Sequence, residues 1–264
     1  SKNLCIAGGS ALNCVMNSVL LRSEYIDNIY VPPVAGDSGA SLGSALFVAN
    51  KLGFKFRKLK TPFLGPEYSN EEIKKDLDVL KLKYEYMDEE QLLEYISNKI
   101  LEGKIIGWLQ GRLEYGARAL GNRSILANPQ DPTMKDKINK LIKFRETFRP
   151  FAPSVTLETA ANYFKDAAPS PYMTLTFDVK TDKLPAITHV DNTARVQTVS
   201  KDDNELYYKL LKKIEEKSGI AVVLNTSLNI MGQPIACSPK DALAVYGATG
   251  MDIMVLGNYV LSKE

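Results

Sequence analysis

The chain has 264 residues, 45% hydrophobic and 24% charged, and carries a formal charge of only +2. That length suits one large domain or two modest ones, and the charge excludes a protein built as a whole to coat nucleic acid. No stretch approaches the ~20 apolar residues of a membrane helix, and the N-terminus lacks the flank and core of a signal peptide.

A cytoplasmic location is therefore expected. Cys5, Cys14 and Cys237 are too few and too scattered for a disulfide framework or a zinc site, and read as small buried hydrophobes. The chain opens without Met on the apolar run Leu4 to Ala7, as though something preceded it.

In chain order, Asn3 to Ala7 reads as a strand ending in Gly8-Gly9. Ala11 to Arg22 has helical spacing, Ile29 to Val31 is extended, and Ser38 to Leu52 is a helix of small residues. The stretch from Lys51 to Pro66, rich in Lys, Pro and Phe, reads as a connector. Ser69 with Glu72 and Asp88 with Gln91 are capping-box patterns, opening helices that end near Leu82 and before Gly103. Asp131-Pro132 opens a basic helix to Glu146, Asn204 opens one stopped by Gly219, and Ser238-Pro239 with Asp241 opens a last helix to Thr249. Strands are expected at 105–109, 173–179, 220–224, 253–256 and 259–261. Several are continuous apolar runs between helices, which fits an α/β fold with a mixed sheet covered on at least one face.

Six segments carry candidate chemistry. Gly8 to Asn13 follows a strand and opens a helix, so bare backbone and free N–H groups there suit a phosphate or ribose, or simply a turn. Asp37, between Gly36 and Ser38-Gly39, suits a metal or ribose hydroxyl, or a helix N-cap. From Gly107 to Ser124, glycines at 111, 116 and 121 alternate with Arg112, Arg118 and Arg123, a pattern that suits phosphate oxygens gripped by guanidinium groups. Between Arg112 and Arg149, nine Lys and Arg face four Asp and Glu, and the rest of the chain is net negative.

From Lys143 to Pro153, Phe144, Phe148 and Phe151 stand among Lys143, Arg145, Glu146 and Arg149. Burying such cations is costly unless an anion pairs with them, so the segment holds a bound anion, pairs internally with Glu146, or reads nucleic acid. The single histidine, His189, reads as structural, and Arg195 on the alternating stretch after it is the sharper candidate. Asn225, Thr226 and Ser227 close a buried strand, where ligands of α/β sheets sit, or form a polar turn.

Taken together, GGSALN, AGDSGA, GWLQGRLEYGARALGNRSIL, KFRETFRPFAPS, THVDNTARVQTV and LNTSLNIMGQPI resemble, in that order, the carbamoyltransferases of nodulation factors and of aminoglycoside and cephem antibiotics. The resemblance implies two lobes. Residues 1–54 would be the end of an actin/sugar-kinase-like lobe that binds nucleotide, iron and a hydroxyl acceptor, here a βαβα remnant. Residues 55–66 would connect it to residues 67–264, a mixed twisted sheet similar to threonylcarbamoyl-AMP synthase. That second lobe would use ATP with Mg²⁺ and carbamoyl phosphate to make carbamoyl-adenylate and pyrophosphate.

By motif, Lys143 and Arg195 would be catalytic. Arg118, Arg149, Asn225 and Ser227 would bind carbamoyl phosphate and ATP with them, and Asn122, Arg123 and Thr226 would lie nearby. Gly8, Gly9 and Asn13 would line the first lobe's nucleotide site, and Asp37 would be its metal ligand. Two departures stand out: the histidines that complete the family's iron site are absent, and Met231 replaces a basic residue before Gly232. Iron is thus expected only in a full-length enzyme, and carbamoyl-adenylate formation without completed transfer is expected here. An RNA-binding module and a non-catalytic nucleotide-binding module are the rival readings, the near-neutral charge opposing the first.

Overall fold

Local capping chemistry sets where most helices begin. In the computed structural model, which describes residues 1–55, 59 and 61–263, all three expected boxes form: Ser69 with Glu72, Asp88 with Gln91, and Ser238 with Asp241. Residues 56–58 and 60 of the expected connector lie outside the described residues.

The elements run β1 (Asn3–Cys5), a 3₁₀ turn (Gly9–Leu12), α1 (Cys14–Leu21), β2 (Asn28–Tyr30), α2 (Gly39–Lys51), α3 (Asn70–Val79), β3 (Glu85–Tyr86), α4 (Glu89–Leu101), β4 (Ile106–Leu109) and β5 (Arg123–Ala127). They continue with α5 (Met134–Ile138), a π-helical turn (Asn139–Lys143), β6 (Ala152–Thr156), α6 (Ala160–Tyr163), β7 (Thr176–Asp178), β8 (Thr193–Arg195) and β9 (Gln197–Val199). Last come α7 (Glu205–Ser218), β10 (Val222–Ser227), α8 (Pro239–Ala248), β11 (Ile253–Leu256) and β12 (Tyr259–Ser262).

Eight strands form one mixed sheet in the order β3-β12-β11-β4-β5-β10-β6-β9, with β11–β4 and β6–β9 parallel and the other pairs antiparallel. Alternation along its strands feeds two cores. Trp108 and Val223 pack with α4 and α7 on one face, while Leu224 and Met254 pack with α3, α5 and α8 on the other. The fold is therefore α/β with a mixed sheet, as expected, and both faces are covered.

The parallel pair β1–β2 and the antiparallel pair β7–β8 stand apart from this sheet. Helix α1 ties them together: Asn17 Nδ2 donates to Thr174 O at 3.0 Å, and Ser18 Oγ accepts from Thr176 N at 2.7 Å.

Three expectations change. The basic helix does not run on to Glu146: its last turn widens into the π form, and Phe144 then breaks it in the left-handed region at φ 48°. This wider turn brings Lys143 inside, a distortion common at functional sites. Arg123 to Ala127, not among the expected strands, is an interior strand. So is Ala152 to Thr156, whose Pro153 is tolerated because pairing to β9 begins only at Ser154. The cysteines are free, but Cys5 is exposed and Cys14 and Cys237 are half-buried, so none is a core residue.

Candidate anion-binding site

Strand β10 ends at Asn225-Thr226-Ser227 between β5 and β6, and the loop Glu114–Asn122 folds over that end. Glu114 shapes the loop. Its buried Oε1 accepts from the backbone N–H of Leu120 (2.7 Å), Asn122 (2.8 Å) and Arg123 (3.2 Å). Burial pushes the Glu114 carboxyl up, and the N–H groups of Asn122 and Leu120 pull it back. Gly121 sits at φ 107°, and a Cβ there would come within 2.3 Å of the Tyr207 ring, so only glycine lets the loop press onto α7.

Beneath this loop lies a cavity of about 270 Å³. Arg118, Arg145, Arg149 and Arg195 line it with Asn225, Thr226 and Ser227, and none of its lining residues is acidic. Each arginine comes from a different local device. Arg118 rides the Glu114 loop, and its Nη2 donates to Leu12 O at 3.2 Å, joining the cavity to the 3₁₀ turn near the N-terminus. Arg145 follows the π turn, its Nε donating to Asn139 Oδ1 at 2.7 Å and its guanidinium lying 4.9 Å from the centre of the Phe151 ring. Arg149 pairs with Glu146 at 3.1 Å. Arg195 ends β8, and its Nε is buried with no hydrogen-bond partner.

Crowded cations lose proton affinity. Burial, then the nearby Arg118, pulls the Arg195 guanidinium down to about 10, and burial also lowers Arg118 and Arg145. Guanidinium groups stay charged at neutral pH, so the cavity concentrates positive charge.

Lys143 stands behind Ser227. Its Nζ lies 2.6 Å from Ser227 O, 2.7 Å from Asn229 Oδ1, 2.9 Å from Asn229 O and 3.3 Å from Ser227 Oγ. Burial, with Arg145 as a second cause, pulls the ammonium down to about 7.

The expected residues therefore divide. Arg118, Arg149, Arg195, Asn225, Thr226 and Ser227 meet at one cavity, with Lys143 one hydrogen bond behind its wall. Asn122 and Arg123 do not join them. Arg123 is fully buried and spends its guanidinium on the carbonyls of Gln110 (2.7 Å), Asn122 (3.0 Å), Gly111 (3.2 Å), Pro66 (3.2 Å) and Cys237 (3.3 Å). The Asn122 amide is likewise used, donating to Arg112 O at 2.7 Å and accepting from Asn204 at 2.8 Å. Both hold the fold, and neither lines the cavity. Replacing Arg123 with Met is expected to cost on the order of 3 kcal/mol, because buried carbonyls lose their partner. A urea titration would show it, with anion affinity of the folded protein unchanged.

Near the N-terminus, Gly8 and Asp37 share a second cavity of about 430 Å³, lined otherwise by apolar residues and glycines. Gly9 opens the 3₁₀ turn, and Asn13 is committed as the N-cap of α1, accepting from Met16 N at 3.0 Å. A site with Asp37 as its one carboxylate does not fit iron. No cluster of three His, Cys, Asp or Glu occurs among the described residues.

Arg145 was missed as a cavity residue, although its place two residues after Lys143 was a usable signal. Asn139 was also missed: buried, it donates to Thr147 O and Arg149 O and so holds the arginine-bearing loop. Nothing local marks it. His189 is structural, as read, its Nδ1 3.2 Å from Thr193 Oγ1.

The cavity at the end of this strand is thus lined by four arginines and by no acidic residue, with Glu146 paired to Arg149 outside the lining. The chain belongs to the carbamoyltransferase family: residues 97–263 match the profile described as Carbamoyltransferase C-terminus, and residues 1–46 that described as Carbamoyltransferase N-terminus. It is 42% identical to the uncharacterized protein sll1178 of Synechocystis sp., over 99% of this chain and 48% of that protein. It is 40% identical to Nodulation protein NolNO of Sinorhizobium fredii, over 100% of this chain and 40% of that one. Nodulation protein NolO of Bradyrhizobium diazoefficiens is 38% identical, over 99% and 49% respectively. The chain thus spans about half the length of these relatives. Among solved structures, Sua5 of P. abyssi complexed with L-threonine is 19% identical with a TM-score of 0.48, covering 66% of this chain and 48% of that one. Among the described residues, no helix is long and apolar enough to cross a membrane.

Proposed function

We propose that this chain activates carbamoyl phosphate with ATP. Mg²⁺ accompanies the nucleotide as part of the substrate. The observation that carries the reading is the arginine cavity, where four guanidinium groups converge without an acid in the lining and Arg195 Nε is unpartnered. Two polyanions repel each other, and fixed donors in a site of low dielectric are what brings them together.

Atom balance sets the steps. Water cleaves the carbamoyl–phosphate link, releasing phosphate and leaving carbamate. A carbamate oxygen then attacks the α-phosphorus of ATP, pyrophosphate leaves, and carbamoyl-adenylate remains. Arg118, Arg145, Arg149 and Arg195 hold the anionic oxygens, and Ser227 and Thr226 supply hydroxyl donors at the strand end. Lys143 adds charge from behind Ser227.

Residues 1–54 are, in this reading, part of a larger acceptor lobe that passes the carbamoyl group to a hydroxyl. Helix α2 supports it, since none of its residues is buried and Phe47 and Val48 are 62% and 54% exposed. An apolar face of that kind marks an interaction surface. A cytoplasmic setting goes with the free cysteines.

The chain incubated with carbamoyl phosphate, ATP and Mg²⁺ should release phosphate and pyrophosphate in equal amounts, the pyrophosphate requiring both substrates. Absence of release, together with absence of binding of either compound, would remove the reading.

A further inference from the structure

The lining residues of the arginine cavity all fall between Ala117 and Ser227, yet two of its four arginines ride on elements gripped by residues 1–54. Arg118 sits on the loop that Glu114 folds. The start of that loop is fixed by Leu113 N donating to Pro66 O at 2.9 Å and Tyr115 N to Pro62 O at 2.7 Å. Its end is fixed by the three N–H groups that meet Glu114 Oε1. Between those anchors the loop leans on the start of the chain. The Tyr115 hydroxyl donates to Ser38 O, and Ser41 Oγ lies 2.7 Å from it. Gly116, at φ 145°, presses so close that a Cβ would come 2.5 Å from Pro33 O. Arg118 Nη2 then reaches Leu12 O at 3.2 Å.

Arg195 is tied to the same segment by a second route. It ends β8, and its partner across the β7–β8 pair is Thr176. Both backbone groups of Thr176 bond to α1: its N–H donates to Ser18 Oγ at 2.7 Å, and its C=O accepts from Arg22 Nη2 at 3.0 Å. Helix α1 thus grips β7 directly opposite Arg195. Arg118 and Arg195 repel each other, so contacts from outside the cavity have to hold them together.

We propose that Tyr115 and Ser18 are positioning residues for the arginine cavity, Tyr115 acting through Arg118 and Ser18 through Arg195. Neither side chain lines the cavity. Each sets where a guanidinium stands, and a misplacement of about 1 Å far from the chemistry can cost on the order of a hundredfold. The assignment rests on the proposed function and deepens it, since it says what sets the spacing of the cavity's charges.

The test is a pair of double-mutant cycles read by calorimetric titration with inorganic pyrophosphate, a polyanion that engages several guanidinium groups. Tyr115→Phe and Ser18→Ala should each weaken binding roughly three- to tenfold, the range for one lost hydrogen bond. In an Arg118→Ala background Tyr115→Phe should change affinity by less than about twofold, and in Arg195→Ala it should keep its full effect. Ser18→Ala should show the reverse. Tyr115 is half-buried, so Tyr115→Phe should also leave the melting temperature unchanged. Losses of equal size in both arginine backgrounds, or no loss in either single variant, would overturn the assignment and make these contacts merely structural. Should buried Ser18→Ala not fold, the Tyr115 cycle decides. Pyrophosphate that fails to bind the unaltered chain would remove the assignment and the proposed function together. If both cycles behave as expected but carbamoyl phosphate and ATP yield no pyrophosphate, the proposed function falls and the positioning roles stand.

Discussion

Arg195→Ala is expected to lower carbamoyl-phosphate-dependent pyrophosphate release about a hundred- to a thousandfold, the usual loss when a fixed donor is taken from developing charge. The same change should not weaken the fold. Arg195 Nε has no partner, and burial and Arg118 press its guanidinium down to about 10, so the empty protein holds this cation at a cost. Removing it relieves repulsion, and the melting temperature should stay level or rise, the familiar exchange of stability for function. Inorganic phosphate should raise the melting temperature of the unaltered chain, since a ligand that binds only the folded form stabilises it. It should do so far less in Arg195→Ala. Arg123→Met should show the opposite pattern, with a weakened fold and affinity retained. An Arg195→Ala protein that loses stability but keeps pyrophosphate release would show that this arginine is structural.

Lys143 should make carbamoyl phosphate binding depend on pH. Its ammonium sits near 7 in the empty protein against roughly 10.4 for a free lysine. A bound anion favours the charged form, so above pH 7 binding must take up a proton, and affinity should weaken about tenfold per pH unit. In Lys143→Met the dependence between pH 7 and 9 should vanish, and affinity at pH 7 should already be low. Stability runs the other way. Between about pH 7 and pH 10.4 the unfolded chain holds a proton that the folded chain does not, so folding stability rises with pH across that window. Dissociation constants at four pH values in both proteins decide the matter: equal slopes would remove Lys143 from the site.

Local chemistry was legible in the sequence, and contacts across the chain were not. Ser69, Asp88 and Ser238 announce their helices because each meets a side chain three residues on, and Gly219 ends α7 in the left-handed conformation only it adopts cheaply. Arg118 and Arg123 look alike on paper, five residues apart in one glycine-rich stretch. One opens onto the cavity and the other turns in on carbonyls from Pro66 to Cys237, and only tertiary placement separates them. Strand β5 was hidden by the loop-like residues before it, and β6 by Pro153. The π turn that buries Lys143 has no sequence signal, since Asn139 organises it through Thr147, Arg149 and Arg145. The motif placed Asn225 at a strand end. Its buried amide network with Gln197 and Ser154, 28 and 71 residues away, has no local signal.

The most direct check on the central claim is exchange of labelled pyrophosphate into ATP. If the arginine cavity supports carbamoyl-adenylate formation, label should enter ATP only when carbamoyl phosphate is supplied, and Arg195→Ala should abolish it. Label entering ATP equally without carbamoyl phosphate, or none entering while both substrates bind, would contradict the account.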